Sequence, residues 1–62
     1  MKSPTKEEVV AARKLVGITQ AHAATLVHSA LRSWQQWEAG HRKMHPAIWE
    51  LFQIKTRIQQ PG

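Results

Sequence analysis

Arg32, Gln35, Gln36 and Ala39 recur at helical spacing within the stretch LRSWQQWEA, and at 100° per residue they share one stripe, with Leu31 and Ser33 on its flanks. A guanidinium, two carboxamides and small apolar groups on one helix face are the groups that read base edges. Arginine chelates guanine, glutamine chelates adenine, and an apolar group touches the thymine methyl. The same residue types also make an ordinary solvated face, because arginine and glutamine are good helix formers. The opposite side of the segment carries Ala30, Trp34 and Trp37, which the wheel assigns to a core.

Other chemistry is poorly provided for. His41 and His45 are four apart, but they lie between Gly40 and Pro46, where a loop is expected, and no third ligand is near. With no cysteine in the chain, neither a metal site nor a cofactor is expected. The four acids are Glu7, Glu8, Glu38 and Glu50; none pairs with a nucleophile in a way that suggests catalysis, so the chain reads as a non-enzyme.

The elements that must position these groups are short. Breakers at Pro4, Gly17, Gly40, Pro46, Pro61 and Gly62 cut the chain, and no stretch alternates with period two. Thr5 with Glu8 forms a capping-box signature, followed by Val9, Ala12, Leu15 and Val16 and stopped by Gly17. Thr19 caps a second, alanine-rich segment containing Ala23, Ala24, Leu26 and Val27. A third opens at Ser29 or Ala30 and ends at Gly40. The fourth starts at Pro46, a favoured first helical residue, and runs to Ile58. The expectation is a single all-α domain over 1–62, with four helices near 5–16, 19–27, 30–39 and 46–58.

Sixty-two residues hold one small domain, which buries only about 60% of its unfolded surface. An apolar fraction of 42% with three tryptophans argues for a real core, and no apolar run approaches a membrane span. The net charge is +5; Lys2, Lys6, Glu7 and Glu8 cancel, so the excess lies beyond them. Such a balance fits a polyanionic partner, nucleic acid first and an anionic membrane surface second. In the last segment Ile48, Leu51 and Phe52 can close the core, while Trp49, Ile54 and Ile58 lie on other faces. Either the core wraps far around this helix, or these residues form an isologous dimer interface.

Two short segments joined by a turn, the second polar-faced, make a helix-turn-helix arrangement. Ile18-Thr19-Gln20, Ala24 and Trp37-Glu38-Ala39-Gly40-His41-Arg42-Lys43 resemble the Cro/lambda-repressor-like (Xre-type) helix-turn-helix family, without a gap from Ile18 to Lys43. The resemblance implies a sequence-specific DNA-binding regulator. Leu31, Arg32, Ser33 and Gln36 would meet base edges, joined by Gln35 on the same stripe, while Gln20, His41, Arg42 and Lys43 would hold phosphates. It also implies a structural pair between Arg13 and Glu38. Departures from the family pattern are Ala30 at the usual Ser or Thr cap, His28 at the usual turn glycine, Trp34 at a smaller core residue and Met44 at a common proline. The cap departure leaves the start of the recognition helix open by one residue.

The resulting expectation is a cytoplasmic homodimeric repressor of its own promoter, bound to an inverted-repeat operator on double-stranded DNA. Neither a membrane partner nor a small-molecule ligand is expected. Small regulators of phages and mobile elements, including the anti-CRISPR-associated type, have this look. The alternative is a protein-binding adaptor or inhibitor on the same fold, with Trp49 and Phe52 as anchors.

Overall fold

The computed structural model describes residues 2–57, all of whose regular structure is helical: α1 (Lys6–Val16), α2 (Gln20–Leu26), α3 (Leu31–Ala39) and α4 (Pro46–Thr56). The first three start one residue later than expected because Thr5, Thr19 and Ala30 are caps, with extended backbone, rather than helical residues. Thr5 Oγ1 accepts from the Glu8 N–H at 3.1 Å while Glu8 Oε1 accepts from the Thr5 N–H at 2.8 Å, closing the capping box. Thr19 Oγ1 does the same for the His22 N–H. His45 caps α4 in an unexpected way, its Nδ1 accepting from the Ala47 N–H at 3.0 Å.

The start of α3 is fixed at Leu31. Ala30 offers no side-chain cap, and the Ser29 hydroxyl turns away to donate to the Val27 carbonyl. Ala30 therefore sits exposed at the helix entrance, which corrects its assignment to the core; a cap lies outside the turn it begins and cannot share the buried face of Trp34. At the other end of the chain α4 stops at Thr56, not Ile58, because Arg57 turns left-handed with φ 58°. Ile58 lies outside the described residues.

Residues 27–30 join α2 to α3. The turn is closed by the Ser29 N–H donating to the Ala24 carbonyl at 2.9 Å, with His28 in the left-handed region at φ 57°. A non-glycine residue there costs about 1–2 kcal/mol. The His28 ring is exposed, and its Nε2 lies 3.3 Å from Lys55 Nζ, its one side-chain hydrogen bond among the described residues. We therefore expect His28→Gly to stabilise the fold by about 1 kcal/mol, raising Tm by roughly 4–8 °C. A thermal melt by circular dichroism checks this; a lower Tm would mean that the Lys55 contact outweighs the backbone strain.

The core gathers Val9 and Ala12 of α1, Ala23 and Ala24 of α2, Val27, Trp34 of α3, Met44 and Phe52 of α4. Trp34 and Phe52 are completely buried, their rings 5.1 Å apart and tilted by 47°. Trp37 meets Trp34 edge-on at 5.7 Å, and Trp49 stacks on Phe52 at 6.2 Å, so aromatic contact runs unbroken from α3 into α4. Offset and edge-on pairs of this kind contribute about 0.5–1.5 kcal/mol beyond their buried area. The alanine pair on α2 leaves room for so large a ring in so small a domain: Ala23 is fully buried, in the same cluster as Trp34. Met44 anchors the α3–α4 loop from beneath. Leu15, in contrast, is 77% exposed and contributes nothing to the core.

Candidate nucleic-acid interface

One carboxylate holds the three N-terminal helices in register. Glu38, near the end of α3, accepts from Arg13 Nε of α1 through Oε2 at 2.5 Å and from Arg13 Nη2 through Oε1 at 3.2 Å. Gln20 Nε2, the first residue of α2, donates to Oε1 at 2.9 Å, and the Trp34 indole N–H donates to Oε2 at 2.6 Å. Arg13 Nη1 completes the arrangement by donating to the Ile18 carbonyl between α1 and α2 at 2.9 Å. Burial works against the Glu38 charge, yet the bonds from Arg13, Trp34 and Gln20 outweigh it and hold the carboxyl below its ordinary pKa. The same bond to Glu38 raises Arg13, against a smaller opposing effect of burial.

The expected Arg13–Glu38 pair is thus present, joined by two donors that the residue pattern did not announce. A signal existed for one of them. Trp34 and Glu38 are four apart on a helix and so share a face, and a buried indole N–H needs an acceptor. Gln20 was expected to serve a phosphate. One of its amide hydrogens is occupied by Glu38, which leaves the second hydrogen and the amide oxygen for another partner.

With α3 fixed in this way, its outward stripe is defined. Arg32 and Gln35 are exposed, Leu31 is 43% exposed, and Ser33 and Gln36 are half-buried beside them. After α3, Gly40 adopts φ 83° and the chain turns into the loop carrying His41, Arg42 and Lys43, all exposed. The His41 and Arg42 backbone N–H groups both donate to the Gln36 carbonyl, at 3.0 and 3.4 Å. Any anion at this loop is therefore met by side chains rather than by these two amides. Arg13–Glu38 is the one ion pair among the described residues, so Arg32, Arg42 and Lys43 carry charges without a carboxylate partner.

The remaining assignments divide. Phe52 is fully buried under Trp34 and Trp49 and cannot anchor a partner, which corrects its place at an adaptor interface; Trp34 needs that ring to close the core. Trp49 is half-buried against Phe52, whereas Ile54 is 51% exposed on α4. His45 spends its Nδ1 on a helix cap, and no three potential metal ligands come together among the described residues. No helix among them is long and apolar enough to cross a membrane.

No protein-family model matches the chain. Over 45 residues it is 36% identical to the Type II methyltransferase M.MspI of Moraxella sp., a match covering 73% of this chain but only 11% of the enzyme. A stretch of that length cannot be placed in 62 residues without including 18–45, so α2, the turn and α3 all lie within the similar region.

Proposed function

We propose that this chain is a sequence-specific binding unit for double-stranded DNA, of the Cro/lambda-repressor (Xre-type) helix-turn-helix kind. It acts as a homodimeric repressor and has no catalytic role of its own. The observation that carries this reading is α3 itself. A single carboxylate clamps it to α1 and α2, and it turns a stripe of Leu31, Arg32, Gln35 and Gln36 outward beside an uncompensated cationic loop. Rigid placement matters because reading base edges requires side chains fixed relative to the groove, while the Arg42 and Lys43 side chains supply sequence-independent attraction to phosphate. Similarity to only about a tenth of a far larger methyltransferase fits a recognition unit better than a complete catalytic one. The two-fold partner is assigned to the apolar surface of α4, where Ile54 is 51% exposed. Two copies of α3 would then stand about 34 Å apart, one turn of DNA.

Selection of duplexes from a random library, followed by anisotropy titration of the winner, tests the reading. An inverted repeat should emerge. On it, Arg32→Ala should weaken binding by about 1–3 kcal/mol, with a much smaller loss on unselected duplex, as expected for a guanine contact. Equal losses on both duplexes would place Arg32 on phosphate. Failure to enrich any sequence would remove the sequence-specific reading.

A further inference from the structure

In the sequence the lysines of the N-terminal arm are balanced by Glu7 and Glu8, but in the fold neither lysine forms an ion pair with them. Glu8 is turned back onto the Thr5 N–H by the capping box, and Glu7 lines a neighbouring groove with Lys14 and Glu38, which Lys6 also borders without an ion pair to either acid. Lys2 and Lys6 also border a cleft of about 500 Å³ together with Arg42 and Lys43, with Trp37 and Met44 among its apolar lining. Among the described residues no acidic side chain lines this cleft. The C-terminal glycine of α3 makes the approach possible. A Cβ at Gly40 would stand 2.9 Å from Lys6 Cδ, so the absence of a side chain lets the lysine stem lie across the turn. Four cations from two distant parts of the chain are thereby gathered around one concavity, where low-dielectric walls focus their field.

We propose that this cleft is an anion site for a phosphate group supplied by the DNA backbone. Lys2 and Lys6 join Arg42 and Lys43 there, so the phosphate footprint extends from the α3–α4 loop across to the N-terminal arm. The proposal rests on the DNA-binding reading above but needs no sequence preference, and its test uses random-sequence duplex for that reason.

Removing one cation that neutralises a phosphate lowers the slope of log K against log salt by about 0.9. Lys6→Gln should therefore flatten the slope by about one and the Lys2→Gln/Lys6→Gln pair by about two, whereas Lys6→Arg should restore it. Lys55→Gln removes the same charge from α4, away from the cleft, and should leave the slope unchanged. Circular dichroism melts of the same variants establish that they are folded. Equal flattening by Lys6→Gln and Lys55→Gln, or no flattening by either, overturns the site. If the unsubstituted protein binds no duplex even at low salt, the DNA reading falls and a titration with inorganic phosphate decides. Shifts at the Trp37 indole and Gly40 amide resonances that vanish in the double variant would keep the anion site, and unmoved resonances would remove it.

Discussion

Glu38→Ala should destabilise the protein by about 3 kcal/mol or more, a loss large enough to leave a domain of this size barely folded at 25 °C. The cost arises from what is stranded. The Arg13 side chain is only 17% exposed, Trp34 is completely buried, and Gln20 is half-buried; all three direct N–H groups at the missing carboxylate. An uncompensated, poorly solvated charge dominates that sum. Replacing both partners, as in Arg13→Met with Glu38→Leu, should cost less than the two single changes added together, because no charge is then left alone. Urea unfolding of the two singles and the double gives the coupling energy. Additive losses would mean that the pair is a bystander and that packing alone holds α1 on α3.

The same carboxylate sets a direction for pH. Its pKa is depressed in the fold, so its contribution is complete above the unfolded-state carboxylate range and is lost as pH falls through the lower folded value. The stability gap between the unsubstituted protein and Glu38→Ala should accordingly be constant near neutrality and narrow on acidification. A gap that widened in acid would contradict the clamp. The consequence extends beyond stability. Glu38 is the one side-chain acceptor shared by α1, α2 and α3 among the described residues, so the same acidification weakens the bonds that join α3 to the other two helices.

Much of this arrangement was legible in the sequence because it is written in local rules. Thr5 with Glu8, Thr19, Gly17, Gly40 and Pro46 each specify a helix end through a hydrogen bond or an allowed φ, and the described helices begin or end at those residues. The errors fall where the deciding contact is not local. Helical periodicity put Ala30 in the core because a wheel has no knowledge of where the helix starts. It carried α4 on to Ile58 because nothing in the residue types signals that Arg57 will turn left-handed. Met44 entered the core unannounced, since a single methionine in a loop has no period to betray it. The basic cleft was invisible for a related reason. Counting charges along the chain cancels Lys2 and Lys6 against Glu7 and Glu8, and only the fold shows a cleft lined by both lysines and by neither acid.

Trp34 is expected to be the least tolerant position in the chain. Truncation to alanine removes a ring that is 0% exposed and touches both Trp37 and Phe52, leaving a cavity in a domain with no second core to absorb it. Losses of about 3–5 kcal/mol are usual for such a change, and here the donor to Glu38 is lost as well. Trp34→Ala should show no cooperative thermal transition. Trp34→Phe separates the two contributions, because it keeps an aromatic ring between Trp37 and Phe52 while deleting the N–H that meets the carboxylate. A hydrogen bond to a charged group contributes about 1.5–3 kcal/mol, so the phenylalanine variant should fold with Tm lowered by roughly 6 °C or more. Combined with Glu38→Ala, Trp34→Phe should cost less than it does alone, since its hydrogen-bond acceptor is already absent. If Trp34→Phe melted with the unsubstituted protein, the indole N–H would be a passenger. The clamp would then reduce to Arg13, Gln20 and Glu38, with α3 held in place by the shape of its largest ring alone.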